Sequence, residues 1–189
     1  MGYKFIHNST TSNRGVGILI KRELLNCFNI LNTVKDIENN YILIDVEYNG
    51  SRFTAGSVYG ANTNEGLPMY DSLQEKITGL GNRDIILGGD WNATFDNKNV
   101  NENLDVLNMV NIPSLRRSNR ILEMCTVLDL TDPYRIIYPF TREFTFTPHG
   151  VDQINRSRQI SFIKHFFHSH FTINLLKFMN FFLVKQLTK

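Results

Sequence analysis

The sequence predicts an α/β fold that combines antiparallel strand pairs with amphipathic helices. First, Asn49-Gly50 separates two β-rich segments, and Asn-Gly is the strongest short signal for a β-hairpin. Second, residues 68–80 carry apolar side chains at helical spacing. Third, residues 85–87 form a short apolar run before two glycines, which is typical of a buried strand. Hairpins mixed with helices favour this class over a sheet built only from βαβ units.

The elements predicted in the first half follow from these patterns. Residues 15–20 are an apolar run suited to a buried strand. The segments Tyr41–Tyr48 and Ser51–Tyr59 are the two arms of the predicted hairpin. The helix predicted over Pro68–Leu80 ends at a glycine that can adopt the left-handed conformation. Its apolar positions are Tyr70, Leu73, Ile77 and Leu80.

The second half alternates polar segments with shorter elements. Residues 93–113 are rich in asparagine and predict a loop. Ser114 is a suitable cap for a helix whose predicted apolar face is Ile121, Leu122, Cys125 and Leu128. Asp132-Pro133 predicts a turn, and residues 143–147 alternate in the manner of a strand.

Composition places the chain among globular proteins of one domain. Its 189 residues are enough for a sizeable core, and 42% hydrophobic residues is ordinary for such proteins. The N-terminus has no apolar signal-peptide core. Cys27 and Cys125 lie far apart without metal-type spacing, which favours reduced thiols inside the cell, whether nuclear or cytoplasmic.

Charge divides the chain into two unequal parts. Residues 1–158 contain all 18 acidic residues and 16 of the 20 basic ones, a net charge of −2. Residues 159–189 contain the other four basic residues and seven of the 14 phenylalanines. The overall basicity therefore belongs to the C-terminal segment and is not a nucleic-acid footprint of the whole chain.

Polar residues directly follow the predicted strand at residues 85–87. The chain continues Gly-Gly-Asp-Trp-Asn, and side chains alternate along a strand, so Asp90 and Asn92 are expected on one face and Trp91 on the other. A carboxylate and an amide are then neighbours at a strand end, where α/β proteins commonly bind ligands. An ordinary turn is the alternative, because glycine, aspartate and asparagine are common turn formers.

Several segments together resemble one family. They are SNRGVGILI (12–20), SVYGANT (57–63), IILGGDWNATFD (85–96), LTDPYR (130–135), REFTFTPHG (142–150) and INRSR (154–158). In this order and at this spacing they resemble the endonuclease/exonuclease/phosphatase superfamily, specifically the apurinic-type endonuclease domain of non-long-terminal-repeat retrotransposons.

The resemblance implies a four-layer α/β sandwich: two packed β-sheets flanked by helices. It also implies Mg²⁺-dependent cleavage of a DNA phosphodiester, with a reverse transcriptase as a partner in the full element. Asp90 resembles the aspartate that orients or deprotonates the attacking water, and it is a candidate metal ligand. Asn92 and Tyr59 resemble the amide and the phenol that face the scissile phosphate.

Three further residues resemble substrate-binding positions of the family. Asn62 supports the loop that carries Tyr59, Thr145 resembles a threonine near the DNA-contacting surface, and Arg14 is a candidate phosphate contact. Two of them have an alternative interpretation, Asn62 as a turn former and Arg14 as a solvated loop charge, and so does Tyr59 as a core tyrosine.

The sequence departs from the family pattern in three places. The pattern has an early Gln-Glu whose Glu binds the metal, a Ser-Arg-Ile-Asp near residues 157–160, and a late Ser-Asp-His. This chain has neither the first nor the last, and Ile160 stands where the Asp is expected. We therefore expect a partial domain over residues 1–158, incomplete at both ends, that does not cleave DNA.

Alternatives stay open for the function and for residues 159–189. Another phosphoesterase of the same superfamily and a non-catalytic nucleic-acid-binding remnant are the alternatives for function. For residues 159–189 we expect a frameshifted translation, with a membrane-surface helix as the alternative. A membrane-spanning helix is not expected, because Lys164 and Lys177 interrupt the apolar runs.

Overall fold

A computed structural model describes residues 2–11, 14–93, 115–141 and 160–164. These residues form seven strands and three α-helices. The strands are β1 (Tyr3–Thr11), β2 (Arg14–Lys21), β3 (Phe28–Lys35), β4 (Tyr41–Tyr48), β5 (Ser51–Tyr59), β6 (Asp84–Asp90) and β7 (Ile160–Lys164). The helices are α1 (Pro68–Leu80), α2 (Leu115–Leu128) and α3 (Pro133–Ile137), with short 3-10 turns at Arg22–Leu24 and Asn64–Gly66.

The strands form two sheets. β1 and β2 make an antiparallel two-stranded sheet, and the other five strands make a sheet in the order β3-β4-β5-β6-β7. Within the larger sheet, β5 and β6 are parallel and the other three neighbouring pairs are antiparallel. The parallel pair requires a crossover, which α1 supplies between β5 and β6. The C-terminal ends of β5 and β6 therefore meet at one edge of the sheet.

Two apolar cores lie on opposite faces of the five-stranded sheet. Alternation along β4 sends Ile42, Ile44 and Val46 toward the two-stranded sheet, where they pack with β2 residues. The intervening residues Tyr41 and Leu43 face the helices. The helix-side core also contains buried residues of α1 and α2, namely Met69, Tyr70, Leu73, Ile77, Ile121, Met124, Cys125 and Leu128. The protein is thus an α/β sandwich, with helices covering one outer face in the described residues.

The predicted hairpin and first helix are confirmed with the predicted bounds. Asn49 and Gly50 have φ of 50° and 78°, the left-handed pair that a tight hairpin of this kind requires. Gly81 ends α1 with φ 67°. α2 is present, but Leu122 is 38% exposed, and Met124 occupies the core in its place. The phase of the helix explains the exchange, because residues 121, 124, 125 and 128 share one face.

Other elements differ from the sequence expectations or lie outside the described residues. β1 and β3 are not predicted, since both are rich in polar residues and are held by pairing with β2 and β4. Asp132 caps α3 by accepting hydrogen bonds from the amides of Tyr134 and Arg135, where a turn is predicted. The strand predicted at residues 143–147 and most of the loop at 93–113 lie outside the described residues.

β7 belongs to the segment beyond the predicted domain boundary at residues 158/159. It pairs antiparallel with β6, with Ile160 opposite Gly89 and Lys164 opposite Ile85. The five-stranded sheet therefore includes residues from both sides of that boundary. In the described part of the chain, no helix is both long enough and apolar enough to cross a membrane.

Candidate active site

The C-terminal ends of β5 and β6 bring Tyr59 and Asp90 side by side. The parallel register places Tyr59 opposite Asp90, and the Gly60 amide donates to the Asp90 carbonyl over 2.6 Å. Tyr59 packs against the core between the two sheets. Asp90 lies four residues after Ile86, which faces the same core, so the carboxylate is on the same face as the phenol. We call this edge, formed by residues 59–62 and 90–92, the rim.

Two glycines let the backbones approach closely at the rim. A Cβ on Gly60 would lie 2.1 Å from the Trp91 carbonyl oxygen, and a Cβ on Gly89 would lie 1.8 Å from that of Val58. Gly89 also has φ 155°. No other residue fits either position without moving backbone, so these glycines hold the segments that carry the site residues in contact.

Asn92 lies beside Asp90, but not for the reason that strand alternation suggests. β6 ends at Asp90, and Asn92 has a left-handed φ of 49°. This turn allows the Asn92 amide to donate to Asp90 Oδ1 over 3.1 Å, and Asn92 Nδ2 to donate to the Gly60 carbonyl over 2.8 Å. Trp91 is fully buried against α1, as expected. Asparagine tolerates the left-handed conformation better than most residues, so the residue type at position 92 is a sequence signal for this turn.

Asn62 supports the phenol from the loop after β5. Its Nδ2 donates to Tyr59 Oη over 3.0 Å, and its carbonyl accepts a hydrogen bond from the Arg117 guanidinium of α2. Asn62 itself is exposed. The described contacts therefore make Asn62 a neighbour of Tyr59 and an anchor point for α2.

For two predicted site residues, the structure describes no side-chain contacts. Arg14 is the first residue of β2, where it pairs with Thr11, and its side chain is outside what the structure describes. Thr145 lies outside the described residues.

Several residues that support the rim are not found by sequence reasoning. The Asn40 carbonyl accepts a hydrogen bond from the Tyr59 amide over 2.6 Å. Asn8, which is 7% exposed, joins the smaller sheet to this end of the larger one by donating to the Asp36 and Tyr41 carbonyls. Tyr70 contacts both loops of the rim from α1. These contacts link segments distant in sequence, so no local pattern marks them.

The rim can supply a carboxylate, a phenol and an amide to one ligand. Such groups suit orientation of a nucleophilic water by Asp90 and donation to phosphate oxygens by Tyr59 and Asn92. Metal binding is a separate question. Mg²⁺ prefers six oxygen ligands, and among the described residues no three histidine, cysteine, aspartate or glutamate side chains cluster to hold a metal. The described residues therefore supply no metal site built from three or more such side chains.

Comparison with known proteins gives a clear result at the level of fold. No family model matches the sequence, and a search of curated proteins returned no match. Solved structures do match. The endonuclease domain of TRAS1, a telomere-specific non-LTR retrotransposon, aligns over 87% of this chain and 68% of its own, with a TM-score of 0.58 and 14% identity.

Two AP endonucleases are similar to the same extent. The Archaeoglobus fulgidus enzyme aligns over 85% of this chain and 66% of its own, with a TM-score of 0.64 and 15% identity. The Leishmania major enzyme aligns over 87% of this chain and 62% of its own, with a TM-score of 0.67 and 14% identity. This chain thus spans about two thirds of their length. The resemblance found in the sequence is confirmed as a shared fold: this chain has the α/β sandwich of the retrotransposon and AP endonucleases.

Proposed function

We propose that this chain is a remnant of a Mg²⁺-dependent DNA endonuclease of the retrotransposon type, which binds a DNA phosphodiester at the rim without cleaving it. The observation that carries the proposal is the adjacency of Tyr59, Asp90 and Asn92. Three residue types suited to phosphodiester chemistry meet at the ends of two parallel strands. The fold shared with endonucleases supports DNA as the ligand.

Each rim residue has a defined role in this proposal. Asn92 and Tyr59 donate hydrogen bonds to non-bridging phosphate oxygens. Asp90 accepts a hydrogen bond from the Asn92 backbone amide on Oδ1, which fixes the carboxylate in the orientation in which it holds a water. A fixed carboxylate orients that water more effectively than a freely rotating one, because less conformational freedom is lost on binding.

The lack of cleavage is part of the same proposal. β7 places residue 160 opposite Gly89, one position from Asp90, and this residue is isoleucine where the family pattern has aspartate. The described residues provide no group of metal ligands around Asp90. Loss of a positioned acid or base alone costs about 10²–10⁴ in rate, and loss of metal-binding carboxylates removes electrostatic stabilisation as well.

A nicking assay tests the catalytic half of the proposal. The purified chain with Mg²⁺ should convert no more supercoiled plasmid to the nicked form than buffer does. Asp90→Ala tests any activity that does appear, and Asp84→Ala is its matched control at the other end of the same strand. Nicking that Asp90→Ala abolishes and Asp84→Ala retains would show that the chain is an active enzyme.

Fluorescence anisotropy with a labelled DNA duplex tests the binding half. Tyr59→Phe and Asn92→Ala should each weaken binding by about 2–10-fold, the effect of one lost hydrogen bond. The control Tyr48→Phe removes a phenol hydroxyl from the opposite end of the hairpin and should leave binding unchanged. Failure of the unmodified chain to bind the duplex at low salt would refute DNA as the ligand.

A further inference from the structure

Tyr70 places a buried hydroxyl between the two segments that form the rim. It projects from the first turn of α1 and is fully buried. Its Oη accepts a hydrogen bond from the Ala61 amide over 3.1 Å and donates one to the Trp91 carbonyl over 3.2 Å. The ring also stacks on Trp91, with centroids 6.5 Å apart and an interplanar angle of 13°. One side chain therefore contacts both segments through polar and aromatic interactions.

The two segments joined by this hydroxyl carry the candidate site residues. Ala61 follows Tyr59 by two residues, and Trp91 separates Asp90 from Asn92. The Tyr70 hydroxyl lies on the helix side of the sheet, whereas Tyr59 packs on the opposite face. Tyr70 consequently supports the rim from behind without occupying the space in which a ligand would contact the phenol and the carboxylate.

We propose that Tyr70 is a positioning residue whose hydroxyl fixes Tyr59 relative to Asp90 and Asn92. The inference rests on the proposed function, because it names a further residue for that site. Without the hydroxyl, the Ala61 amide and the Trp91 carbonyl lose a shared partner, and this link between the two segments is lost while the Gly60 hydrogen bonds stay. The two segments then move more freely relative to each other. The distance between the phosphate donors Tyr59 and Asn92 is no longer fixed.

The bridge needs a neutral phenol, since only a protonated hydroxyl can donate to the Trp91 carbonyl. Burial, partly offset by the Ala61 hydrogen bond, raises the pKa of Tyr70 to about 12. Both hydrogen bonds therefore persist through the neutral pH range.

Tyr41 offers a matched control. It is also buried, at 1% exposure, and its Oη shares a 2.8 Å hydrogen bond with Ser72 Oγ on the same helix. Replacement of either tyrosine by phenylalanine removes one buried hydroxyl. The Tyr70 hydroxyl belongs to α1, and the Tyr41 hydroxyl contacts it. Only Tyr70 contacts the rim segments through that hydroxyl, so the two variants separate positioning of the rim from general stability.

The experiment compares Tyr70→Phe with Tyr41→Phe in the full chain by NMR and DNA binding. Tyr70→Phe should shift the resonances of the Asn92 side-chain amide and the Asp90 backbone amide, which belong to the site and not to the Ala61 and Trp91 hydrogen bonds of the hydroxyl. It should also accelerate hydrogen exchange at the Ala61 amide at least several-fold and weaken duplex binding by about 2–10-fold. Tyr41→Phe should change none of these. If Tyr70→Phe does not fold, Ala61→Pro removes the same N–H donor from the other side and should shift the same resonances.

Two results would overturn the inference: unchanged Asn92 and Asp90 resonances in Tyr70→Phe, or equal weakening of DNA binding in both tyrosine variants. The NMR result does not depend on a ligand. If the unmodified chain fails to bind DNA, the proposed function falls, and the resonances alone decide whether Tyr70 positions the rim.

Discussion

Single polar side chains fix the local geometry at both ends of the β5–β6 pair. Asn92 does so at the rim, through its left-handed backbone and its two hydrogen bonds. Asp45 does so on the helix-facing side of β4, toward the end where β6 begins. It is 2% exposed and accepts hydrogen bonds from Arg52 and from Asn82, which also donates to Thr54. This network joins the hairpin to the segment between α1 and β6.

Asp45→Asn should lower the free energy of unfolding by about 1–3 kcal/mol at neutral pH. The lower value is the better expectation, because the Arg52 side chain is 55% exposed and water screens that ion pair. The hydrogen bond from Arg52 is the main cause that lowers the pKa of Asp45 below its usual value. The stabilisation is therefore present above the unfolded-state pKa, about 3.9, and is lost as the pH falls through the lower folded-state pKa.

Urea unfolding of the unmodified chain and of Asp45→Asn at several pH values measures this contribution of Asp45 to stability. The stability difference should be constant near neutrality and shrink below about pH 4. Glu75→Gln is the control, since Glu75 is exposed and its ion pair with Lys76 lies at the surface, so it should change stability little. A difference independent of pH down to 3 would contradict the electrostatic explanation.

Asn92→Gly and Asn92→Ala should have different effects on stability. Both remove the bond from Nδ2 to the Gly60 carbonyl, but alanine also has to adopt the left-handed φ of 49°. Alanine should therefore be less stable than glycine by about 1 kcal/mol. Thermal or urea unfolding of the two variants gives the comparison. Equal stability would mean that the turn relaxes to an ordinary conformation when the side chain is lost.

At the scale of elements, turns and helix ends set where each strand and helix stops. The β4–β5 hairpin depends on left-handed residues at Asn49 and Gly50, and α1 ends on left-handed Gly81. Pro68 lies at the first turn of α1, where its missing amide is not needed. These residues act locally, which is why the hairpin and α1 match the sequence prediction so closely.

Two glycine-to-alanine changes should affect stability in opposite directions. Gly50→Ala should destabilise by about 1–2 kcal/mol, because φ is 78°. Gly79→Ala should stabilise by up to about 1 kcal/mol, because alanine is the better helix former. Neither new Cβ meets an atom within 4 Å, so contacts do not complicate the comparison. Urea unfolding measures both, and a destabilising Gly79→Ala would show that this last turn of α1 is not helical in solution.

At the scale of the whole molecule, charge and apolar residues are distributed unevenly along the chain. Residues 1–158 carry a net charge of −2, and the more apolar residues 159–189 carry +4. β7 nevertheless joins the five-stranded sheet from the second segment. A five-residue edge strand needs only backbone pairing with β6, so its place in the sheet says little about selection on its side chains.

We propose that residues 159–189 are translated from a shifted frame. The expected result is that an alternative frame after the Arg158 codon encodes Ile-Asp directly, with Ser-Asp-His further on. The nucleotide sequence provides the measurement. If neither alternative frame encodes these residues, the proposal is wrong, and the loss of acidic residues beyond Asp152 needs another explanation.

The sequence by itself determined those features that depend on neighbours along the chain. The hairpin, α1, the strand before Asp90 and the burial of Trp91 all follow from periodicity and turn chemistry, and six ordered segments were enough to identify the fold. The chemical roles of four residues remain predictions: Tyr59, Asn62, Asp90 and Asn92.

Only the tertiary structure decided which distant segments meet. β1 and β3 are polar strands whose conformation comes from pairing. Tyr70 reaches the rim from the apolar face of the predicted helix, and Asn40 reaches it from a segment without a predicted element. Even Asn92 stands beside Asp90 through a left-handed turn and a bond to Gly60, 32 residues away. Such contacts depend on the parallel register of β5 and β6, which a crossover fixes and no local pattern encodes.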